Sequence, residues 1–596
     1  MRLNEVGVEH FRGWKDPVTW RPGETAVLVG PNSGGKTSLL RAVDIVLDPY
    51  RDAYRNRLVE HDYFDLDTTK PVQITAVLSH LSANDLDYFE SYVEGRRADG
   101  SFGGWDSPQD EFDQGDLVLR LGFRGTFGEP SRAFFARPEC GEAAVHQADK
   151  VRIGWRFVPA DLDPLHELAF YGNSVFSKLF ERVDLSSELD AIRNAIANAK
   201  GPLLAEPTIA DTRRRLEEAA QRLRLVDGQN ALDFAVAGLS DRRVLQSLQL
   251  VLRGRRSSEH LPLLSHGRGL LRVLLLTAIL QHASLGDENL ILAVEEPEQN
   301  LEPINQRLVI RSLLSMHAGA KQLVLSTHSP DVAGSVPLSA VHLVREFSGQ
   351  PDVRSLQSVA PSEHKFFERH ARGAIVDGLY ADVVLLVEGP TERGALPVLW
   401  AMHRPGEGLD EERIELIDCE SIENMPPYVR FFRALEIPVA VLCDADKPPA
   451  YEKIKTAAPE LLVRWQQHVD WEGVLATEGA VDAIAQALEE CRGTLGEWAE
   501  HEHPLRDCVR IAAGDAEHLA AANDLPGLLV GYQESAQRIG LAALLRGRSG
   551  LDFKSTIYAR QVAQSLPSVP PTVVALIELV HQFAAGDAQS RGSRDL

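Results

Sequence analysis

The sequence contains few cysteines, and none of them stands in a paired motif. Its 596 residues include five, with no CxxC, at Cys140, Cys419, Cys443, Cys491 and Cys508. Scattered cysteines offer no zinc site and fit a reducing compartment, so we expect a cytoplasmic protein. No apolar stretch reaches the length of a membrane span, and residues 1–14 have no apolar core after their basic start. Neither a membrane segment nor a signal peptide is therefore predicted.

Positive charge is also in short supply. The sequence has 62 Lys and Arg against 86 Asp and Glu, a formal net charge of −24, which argues against a protein that coats DNA unspecifically. Arginines nevertheless concentrate between residues 213 and 272. They are either a contact surface for phosphates or a solvated helix face balanced by nearby glutamates. The length predicts several domains, and 44% hydrophobic residues predict a globular protein.

A glycine-rich loop follows a short apolar run near the N-terminus. Residues 26–29 lead into residues 30–37, GPNSGGKT, and a helical pattern comes next. This is GxxxxGK[ST] in the strand–loop–helix context of a phosphate-binding loop. Its backbone N–H groups would close on the phosphates while the lysine reaches the β- and γ-phosphates and the threonine ligates Mg²⁺. We expect ATP with Mg²⁺ to bind here, at Asn32, Gly35, Lys36, Thr37 and Ser38.

Two later apolar runs end in polar residues that suit the same nucleotide. Residues 290–294 end at Glu295 and Glu296, and residues 323–327 lead to His328. A carboxylate at a strand end can hold the Mg²⁺ shell, and the next can activate the attacking water. We assign Glu295 to the metal shell, Glu296 to the base and His328 to the γ-phosphate. Ser265, in SHGRG before an apolar helix, either binds the γ-phosphate of another nucleotide site or is an ordinary helix cap.

Four carboxylates in the second half follow two further apolar runs. Residues 383–387 end at Glu388, with Glu392 in the first turn of the helix expected next; residues 439–443 end at Asp444, with Asp446 two positions on. Ligands of parallel sheets gather beyond the carboxyl ends of the strands. Crowded carboxylates repel each other unless a cation lies between them, and oxygen ligands favour Mg²⁺ or Mn²⁺. Both pairs are predicted to converge on one or two metals.

The order of the N-terminal motifs resembles the ATP-binding-cassette-type heads of the structural-maintenance-of-chromosomes (SMC) and RecF-like ATPases. FRGW, GPNSGGKT, SHGRG, EEPE and STHSP carry the resemblance. Two departures are that Glu295 replaces the usual aspartate and that SHGRG is a poor copy of the family signature. Helical periodicity between the two halves of the head, at Leu185, Leu189, Ile192 and Ile196, predicts an inserted helical region that packs on the head or forms a homodimer interface.

VEGPTE followed by DAD resembles the Toprim domain. An ATPase head followed by Toprim is the arrangement of the OLD (overcoming lysogenization defect) nucleases, including the nuclease subunit of Gabija-type antiphage systems. The resemblance covers nearly the whole chain and implies an α/β fold. The expected domains are residues 1–155 and 251–360 for the head, 156–250 for the helical insert and 375–596 for Toprim, with a linker over 356–374.

The resemblance also implies roles for individual residues. Glu388 matches a metal ligand and possible base, Glu392 a second ligand, and Asp444 with Asp446 the metal pair. The resemblance implies two further site residues. One is a lysine late in the sequence that faces the scissile phosphate, and the other is one more acid beside the metal ligands. We take them as Lys554 and as Glu478, with Glu472 as the second choice for the acid.

The function implied is ATP-regulated, two-metal hydrolysis of DNA phosphodiester bonds by an endonuclease with Mg²⁺ or Mn²⁺. The resemblance implies a homodimer or larger assembly, a role in antiphage defence or DNA processing, and a superfamily-one helicase as a possible partner. Three alternatives stay open. The first is a DNA-repair clamp without nuclease activity. The second is a nucleotide-sensing interaction protein in which ATP silences the nuclease. The third is a Toprim nuclease that cuts RNA.

Overall fold

A computed structural model describes most of the chain. The residues outside the description are 50–57, 105–116, 170–173, 176–186, 193, 196–206, 208–210, 212–213, 216–249, 253–259, 285–288, 316–321, 348, 360–365, 368–371, 445–446, 466–469, 496–532 and 547–554. Within the described ranges, every helix is too short or too polar to cross a bilayer.

The strands of the described residues form three main sheets and one small hairpin. In chain order they are β1 Arg2–Glu9, β2 Val18–Trp20, β3 Thr25–Val29, β4 Val72–Ser79, β5 Val93–Arg96, β6 Phe102–Gly104, β7 Leu117–Gly125, β8 Ala133–Phe135, β9 Trp155–Val158, β10 Val251–Leu252, β11 Leu261–Pro262, β12 Ile291–Glu295, β13 Gln322–Ser326, β14 Val341–Phe347, β15 Gln350–Ser355, β16 Val383–Val387, β17 Ile414–Asp418, β18 Val439–Cys443, β19 Leu461–Arg464 and β20 Gly592–Asp595.

The described α-helices mostly follow these strands in alternation. They are α1 Lys36–Leu47, α2 Ala83–Tyr88, α3 Gln147–Ile153, α4 Pro164–Glu167, α5 Arg268–Ser284, α6 Pro303–Ser315, α7 Pro330–Ala333, α8 Arg372–Gly378, α9 Pro390–His403, α10 Met425–Ala434, α11 Pro448–Ala457, α12 Trp471–Glu478, α13 Val481–Leu495, α14 Glu534–Leu545, α15 Thr556–Ser565 and α16 Pro571–Ala584.

Two sheets build the N-terminal half. An antiparallel sheet has the order β2-β1-β4-β7-β5-β6, with β8 paired to β7. A second sheet has the order β15-β14-β3-β13-β12-β9, in which every pair is parallel except β14–β15. Because β3 and β12 both flank β13, the phosphate loop after β3 and the acidic run after β12 reach the same edge of the sheet.

The C-terminal half contains a five-stranded parallel sheet, β17-β16-β18-β19-β20. All five residues of β16 and of β18 are buried, as expected for strands covered on both faces by helices. The strands β16 and β18 are neighbours and point the same way. Their carboxyl ends, where Glu388 and Asp444 follow, therefore lie side by side.

One hydrophobic core runs through both halves. It includes Val27 of β3 and Val384 of β16, together with apolar residues between the two sheets. Phe367 is fully buried, with its ring 4.9 Å from that of Phe431 and 5.4 Å from that of Tyr428, centroid to centroid. The predicted linker over 356–374 thus differs from the structure: its described part packs into the core because its apolar residues have partners on both sides.

The predicted helical insert lies largely outside the described residues, including Leu185 and Ile196. Leu189, which is described, is buried. Most of the arginine-rich region is also outside the description. Among its described members, Arg214 and Arg215 both pair with Asp211, which fits a solvated helix face balanced by acids.

Candidate functional site

The phosphate loop lies where the sequence predicts it, between β3 and α1. Gly35 precedes α1 with a φ of 101°, a left-handed conformation that favours glycine. Gly30 has a φ of 137°, and a Cβ there would also lie 2.1 Å from the carbonyl oxygen of Val344. The Lys36 Nζ donates to the carbonyl oxygens of Gly30 at 2.8 Å and Pro31 at 2.9 Å. Burial lowers the pKa of Lys36 to about 8, against the opposing pull of nearby glutamates.

Glu295 ends β12 beside this loop. It is 5% exposed, accepts a hydrogen bond from the Thr37 hydroxyl, and accepts another from the backbone N–H of Ala160 at 3.2 Å. Thr37 is the residue predicted to ligate Mg²⁺. A carboxylate in contact with that hydroxyl can hold the same metal shell, in agreement with the role assigned to Glu295.

Glu296 and His328 face each other across the neighbouring strand ends. The His328 Nε2 lies 3.7 Å from Glu296 Oε1. Burial, and then the charge of Lys36, lower the pKa of His328, so a neutral imidazole is favoured. Glu298 fixes the turn, since its Oε1 accepts from the Thr327 hydroxyl at 2.6 Å and from the His328 backbone N–H at 3.0 Å. Glu296, with a φ of 45°, is turned out of the strand conformation at the position proposed for the water-activating base.

Ser265, the residue predicted to contact a second nucleotide site, is exposed. It ends a short 3-10 turn, Leu263–Ser265, before α5. The start of α5 packs tightly on the chain after β12, because a Cβ at Gly269 would lie 2.4 Å from the carbonyl oxygen of Asn300. Arg272, one turn into α5, is buried and donates to the carbonyl oxygens of Glu295 and of Ala160, the latter at 3.0 Å. Arg272 thus connects the helix after SHGRG to the acidic run, a contact that no motif in the sequence predicts.

Carboxylates gather at the carboxyl ends of β16 and β18. Glu388 follows β16, and Glu392 occupies the first turn of α9, whose cap is Gly389. Asp444 follows β18. Glu392 is 4% exposed and Asp444 is 8% exposed, so both carboxyl groups are withdrawn from water. Three of the four predicted acids thus lie at the carboxyl ends of two neighbouring parallel strands.

The pKa of Glu392 is affected by burial and by its acidic neighbours. Burial raises the pKa of Glu392 well above its ordinary value, and the next largest contribution comes from Asp444. Glu472 and Glu388 raise that pKa further. Without a cation, a proton on Glu392 relieves the repulsion; with a divalent cation, the carboxylate form is favoured.

The additional acid of the cluster is Glu472. It lies in the first turn of α12, is 3% exposed, and accepts a hydrogen bond from the Thr391 hydroxyl at 3.3 Å. Glu478 instead ends α12, and its carboxylate accepts hydrogen bonds from the backbone N–H of Thr572, at 2.8 Å, and from the Thr572 hydroxyl. Of the two acids considered from the sequence, Glu472 is the one whose charge contributes to the raised pKa of Glu392. The two residues are six apart, close to two helical turns, and only the fold shows which end of α12 faces the cluster.

Two cations near the acids were not identified from the sequence. The Lys447 Nζ lies 3.6 Å from Glu388 Oε1. Arg546 forms a two-pronged ion pair with Asp470, at 2.5 and 2.7 Å, which raises the pKa of the guanidinium; Glu472 and Asp444 raise it to a smaller extent. The only sequence signal for this pair is Asp470 as the helix cap directly before Trp471 and Glu472.

Two predicted site residues, Asp446 and Lys554, lie outside the described residues. In the described part of the chain, no three Asp, Glu, His or Cys side chains come close enough together to hold a metal ion. The donor set nevertheless suits a hard divalent cation, since it consists of carboxylate oxygens.

Comparison with known proteins matches each half of the chain to a domain family. Residues 26–333, more than half of its length, match the model of an AAA domain described as putative AbiEii toxin, Type IV TA system. Residues 379–446 match the Toprim domain of overcoming lysogenization defect protein-like proteins. The chain belongs to the family of this AAA domain and carries an OLD-like Toprim domain. For this OLD-like protein, the predicted family, α/β fold class and enzyme class, a nuclease with an ATPase domain, are confirmed.

Two curated relatives of the chain are both named as OLD nucleases. The OLD-like chain is 25% identical over 466 residues to the OLD nuclease of Thermus scotoductus, covering 76% of this chain and 83% of that protein. It is 24% identical over 169 residues to the Old nuclease of Escherichia phage P2, covering 26% and 28% respectively. Among solved structures, the SMC head domain from Thermotoga maritima aligns with a TM-score of 0.29 and 11% identity, covering 60% of this chain and 99% of that one.

Proposed function

We propose that this protein is an ATP-regulated, divalent-metal-dependent DNA endonuclease. The observation that carries the proposal is the buried Glu392, whose pKa is raised by burial and by Asp444, Glu472 and Glu388. Glu388 and Asp444 follow two adjacent parallel strands, and Glu472 lies in the first turn of α12. Carboxylates crowded together and largely withdrawn from water are costly for a fold. A site that accommodates cations offsets this cost and suits phosphodiester hydrolysis.

The residues that would hold the metals are Glu388, Glu392, Asp444 and Glu472, with Asp446 as the second acid of the DxD pair. When bound, Mg²⁺ or Mn²⁺, two per site in our proposal, supplies an activated water and stabilises the leaving oxygen. The chain's own residues do the rest. Glu388 would accept the proton of the attacking water, and Thr391 orients Glu472 through its hydroxyl.

Positive side chains beside the acids would bind the substrate. Lys447, close to Glu388, and Arg546, held by Asp470, would contact phosphates on either side of the scissile bond. We keep Lys554 as a further residue that neutralises the scissile phosphate. In the sequence Lys554 directly precedes Ser555, the cap of α15, and α15 packs on α9.

ATP at the phosphate loop would regulate access of DNA to the Toprim site rather than drive the chemistry. Lys36 and Thr37 would bind the phosphates and Mg²⁺, Glu295 the metal shell, and Glu296 the attacking water. His328 would contact the γ-phosphate. We keep Asn32, Gly35, Ser38 and, from a second subunit, Ser265 as nucleotide contacts. The wider setting is also proposed: a cytoplasmic homodimer or larger assembly in phage defence or DNA processing, with a superfamily-one helicase as a possible partner.

Incubating the purified protein with supercoiled plasmid, Mg²⁺ or Mn²⁺, and either ATP or no nucleotide tests the function. We expect cleavage that disappears with a chelator. Asp444→Asn should lower the rate by roughly a hundredfold, because a metal ligand is lost. If the wild type leaves plasmid intact under every condition, the endonuclease proposal fails and the repair-clamp or silenced-nuclease alternatives take its place. Parallel reactions with RNA test the third alternative.

A matched pair of variants tests the reassignment within α12. Glu472→Gln removes a charge from the acidic cluster, so cleavage should fall by roughly tenfold to a hundredfold. Glu478→Gln changes the same side chain at the other end of α12, where it contacts Thr572, and should leave cleavage near the wild-type rate. Equal losses in both variants, with thermal unfolding unchanged, would contradict our assignment of Glu472.

A further inference from the structure

A cleft of about 510 Å³ lies between the ATPase half and the Toprim half. The ATPase wall contains the first residues of the phosphate loop, Gly30, Pro31 and Asn32, with His328 beside them. The facing wall belongs to the Toprim half. It includes Arg413, which directly precedes β17.

The cleft lies at the end of the nucleotide site where ATP and ADP differ. The lysine of a phosphate loop reaches the β- and γ-phosphates, and here the Lys36 amine is bonded to the carbonyl oxygens of Gly30 and Pro31, two residues of the cleft wall. His328 sits on the same wall, at a strand end next to Glu296. A terminal phosphate would therefore occupy the mouth of the cleft, and ADP would leave it empty.

Arg413 is held in place from behind. Its Nε donates to Asp382 Oδ2 at 2.7 Å, and its Nη2 donates to the carbonyl oxygen of Tyr380 at 3.0 Å. Its φ of 56° is a left-handed conformation that a side chain rarely adopts, so the surrounding structure imposes it. The Arg413 side chain remains 49% exposed. An arginine anchored on one edge and open on another is suited to phosphate binding.

Tyr380 adds a second donor to the same wall. Its hydroxyl is buried and has no hydrogen-bond partner among the described residues. A buried polar group without a partner costs free energy that a ligand or a rearrangement would recover. The acids of this wall, Asp377 and Glu415, repel a phosphate less than their number suggests. Burial raises the pKa of Asp377, and it raises that of Glu415 to about 7, so both tend towards the neutral form.

We propose that Arg413 of the Toprim half contacts the terminal phosphate of ATP bound at the phosphate loop of the same chain. The Toprim half thereby completes the triphosphate site and makes it prefer ATP over ADP. This deepens the nucleotide regulation proposed above and rests on ATP occupying the phosphate loop. It does not depend on which nucleic acid the enzyme cuts.

Calorimetric titration of the full chain with ADP and with a non-hydrolysable ATP analogue, both with Mg²⁺, tests the proposal. Arg413→Ala should weaken binding of the analogue by about tenfold, the loss expected for one charge-assisted hydrogen bond, and leave ADP binding unchanged. Arg413→Lys should recover part of the difference. If Arg413→Ala binds both nucleotides like the wild type, Arg413 does not contact the phosphate and the proposal fails.

Two controls separate a phosphate contact from a structural role. Asp382→Ala removes the ion pair of Arg413 but keeps its guanidinium, so the preference for the ATP analogue should persist. Arg354→Ala removes another arginine that bridges the halves, through Glu436 at 2.6 Å, and should also keep it. Loss of the preference in Asp382→Ala would overturn the proposal in favour of a structural pair. Lys36→Ala, which should bind neither nucleotide, tests ATP binding itself separately from cleavage.

Discussion

Lys36 is a lysine whose charge depends on what the phosphate loop holds. Its amine is buried and bonded to two carbonyl oxygens, Gly30 and Pro31, which are neutral acceptors. Burial disfavours the ammonium form and lowers the pKa to about 8. The phosphates of a nucleotide supply negative charge at the same place, so nucleotide binding should raise this pKa again.

Nucleotide binding at pH 8 should therefore take up a proton. With the pKa of Lys36 at about 8 in the free protein and higher in the complex, about half a proton should bind per site. At pH 6.5 the lysine is already charged and no uptake is expected. Titration calorimetry in buffers of different ionisation enthalpy measures the difference. Lys36→Arg, whose side chain stays charged, is the control; uptake that persists in this variant would assign the proton to another group.

At the residue scale, the sequence predicts the position of a side chain where that residue directly follows a recognisable strand. Glu295, Glu388 and Asp444 lie where they were predicted for that reason. The sequence does not predict the positions of Glu472 and Arg546, because these depend on how α12 and α14 pack after long intervening segments. No local pattern distinguishes Glu472 from Glu478, since both lie in the same short helix.

At the scale of elements, α9 connects the acidic cluster to the last part of the chain. Glu392 lies in its first turn, and α15 packs along it. The contact is close at Gly394, where a Cβ would lie 2.3 Å from the carbonyl oxygen of Thr556. The position of Glu392 therefore depends on the approach of a helix more than 150 residues later in the sequence.

Gly394→Ala should separate the two helices. The added methyl meets backbone rather than a flexible side chain, so we expect a destabilisation of about 1–3 kcal/mol and slower plasmid cleavage. Gly373→Ala in α8 is the matched control, because a Cβ there meets nothing within 4 Å and alanine favours a helix. Chemical denaturation and cleavage assays measure both variants. A Gly394→Ala protein as stable as the wild type would contradict the close packing.

The elements that the sequence predicts well are the unbroken apolar strands. The runs at 383–387 and 439–443 are β16 and β18, and the run at 290–294 is shifted by one residue in β12. The strands of the antiparallel sheet were not predicted. Strands such as β4, in which buried and exposed residues alternate at first, carry a weaker signal than a fully buried run.

At the scale of the whole molecule, the two halves share a core. Phe367 fills the space beside Tyr428 and Phe431 on α10, and the same cluster continues to β3 under the phosphate loop. The polar and charged residues around Phe367 in the sequence suggested a linker. Burial of that ring depends on partners more than 60 residues away, which local composition does not reveal.

Phe367→Ala should destabilise both halves together. Removing a fully buried phenylalanine should cost about 3–5 kcal/mol. Scanning calorimetry should show one transition in the wild type, raised as a unit by a bound nucleotide, and a lower or divided transition in the variant. Phe127→Ala, at a side chain 42% exposed, should cost less than roughly 1 kcal/mol. Two independent transitions in the wild type would contradict the shared core.

The same shared core limits how such enzymes can be recombined. A chimera joined near residue 360 would pack a foreign Toprim half against Leu356 and Val359 and would replace Phe367. All three side chains are buried here. Exchanging the nuclease half alone should therefore yield mismatched interiors rather than altered specificity. Gene fragments that keep the last strands of the ATPase sheet together with the whole Toprim half are the units we expect to transfer intact.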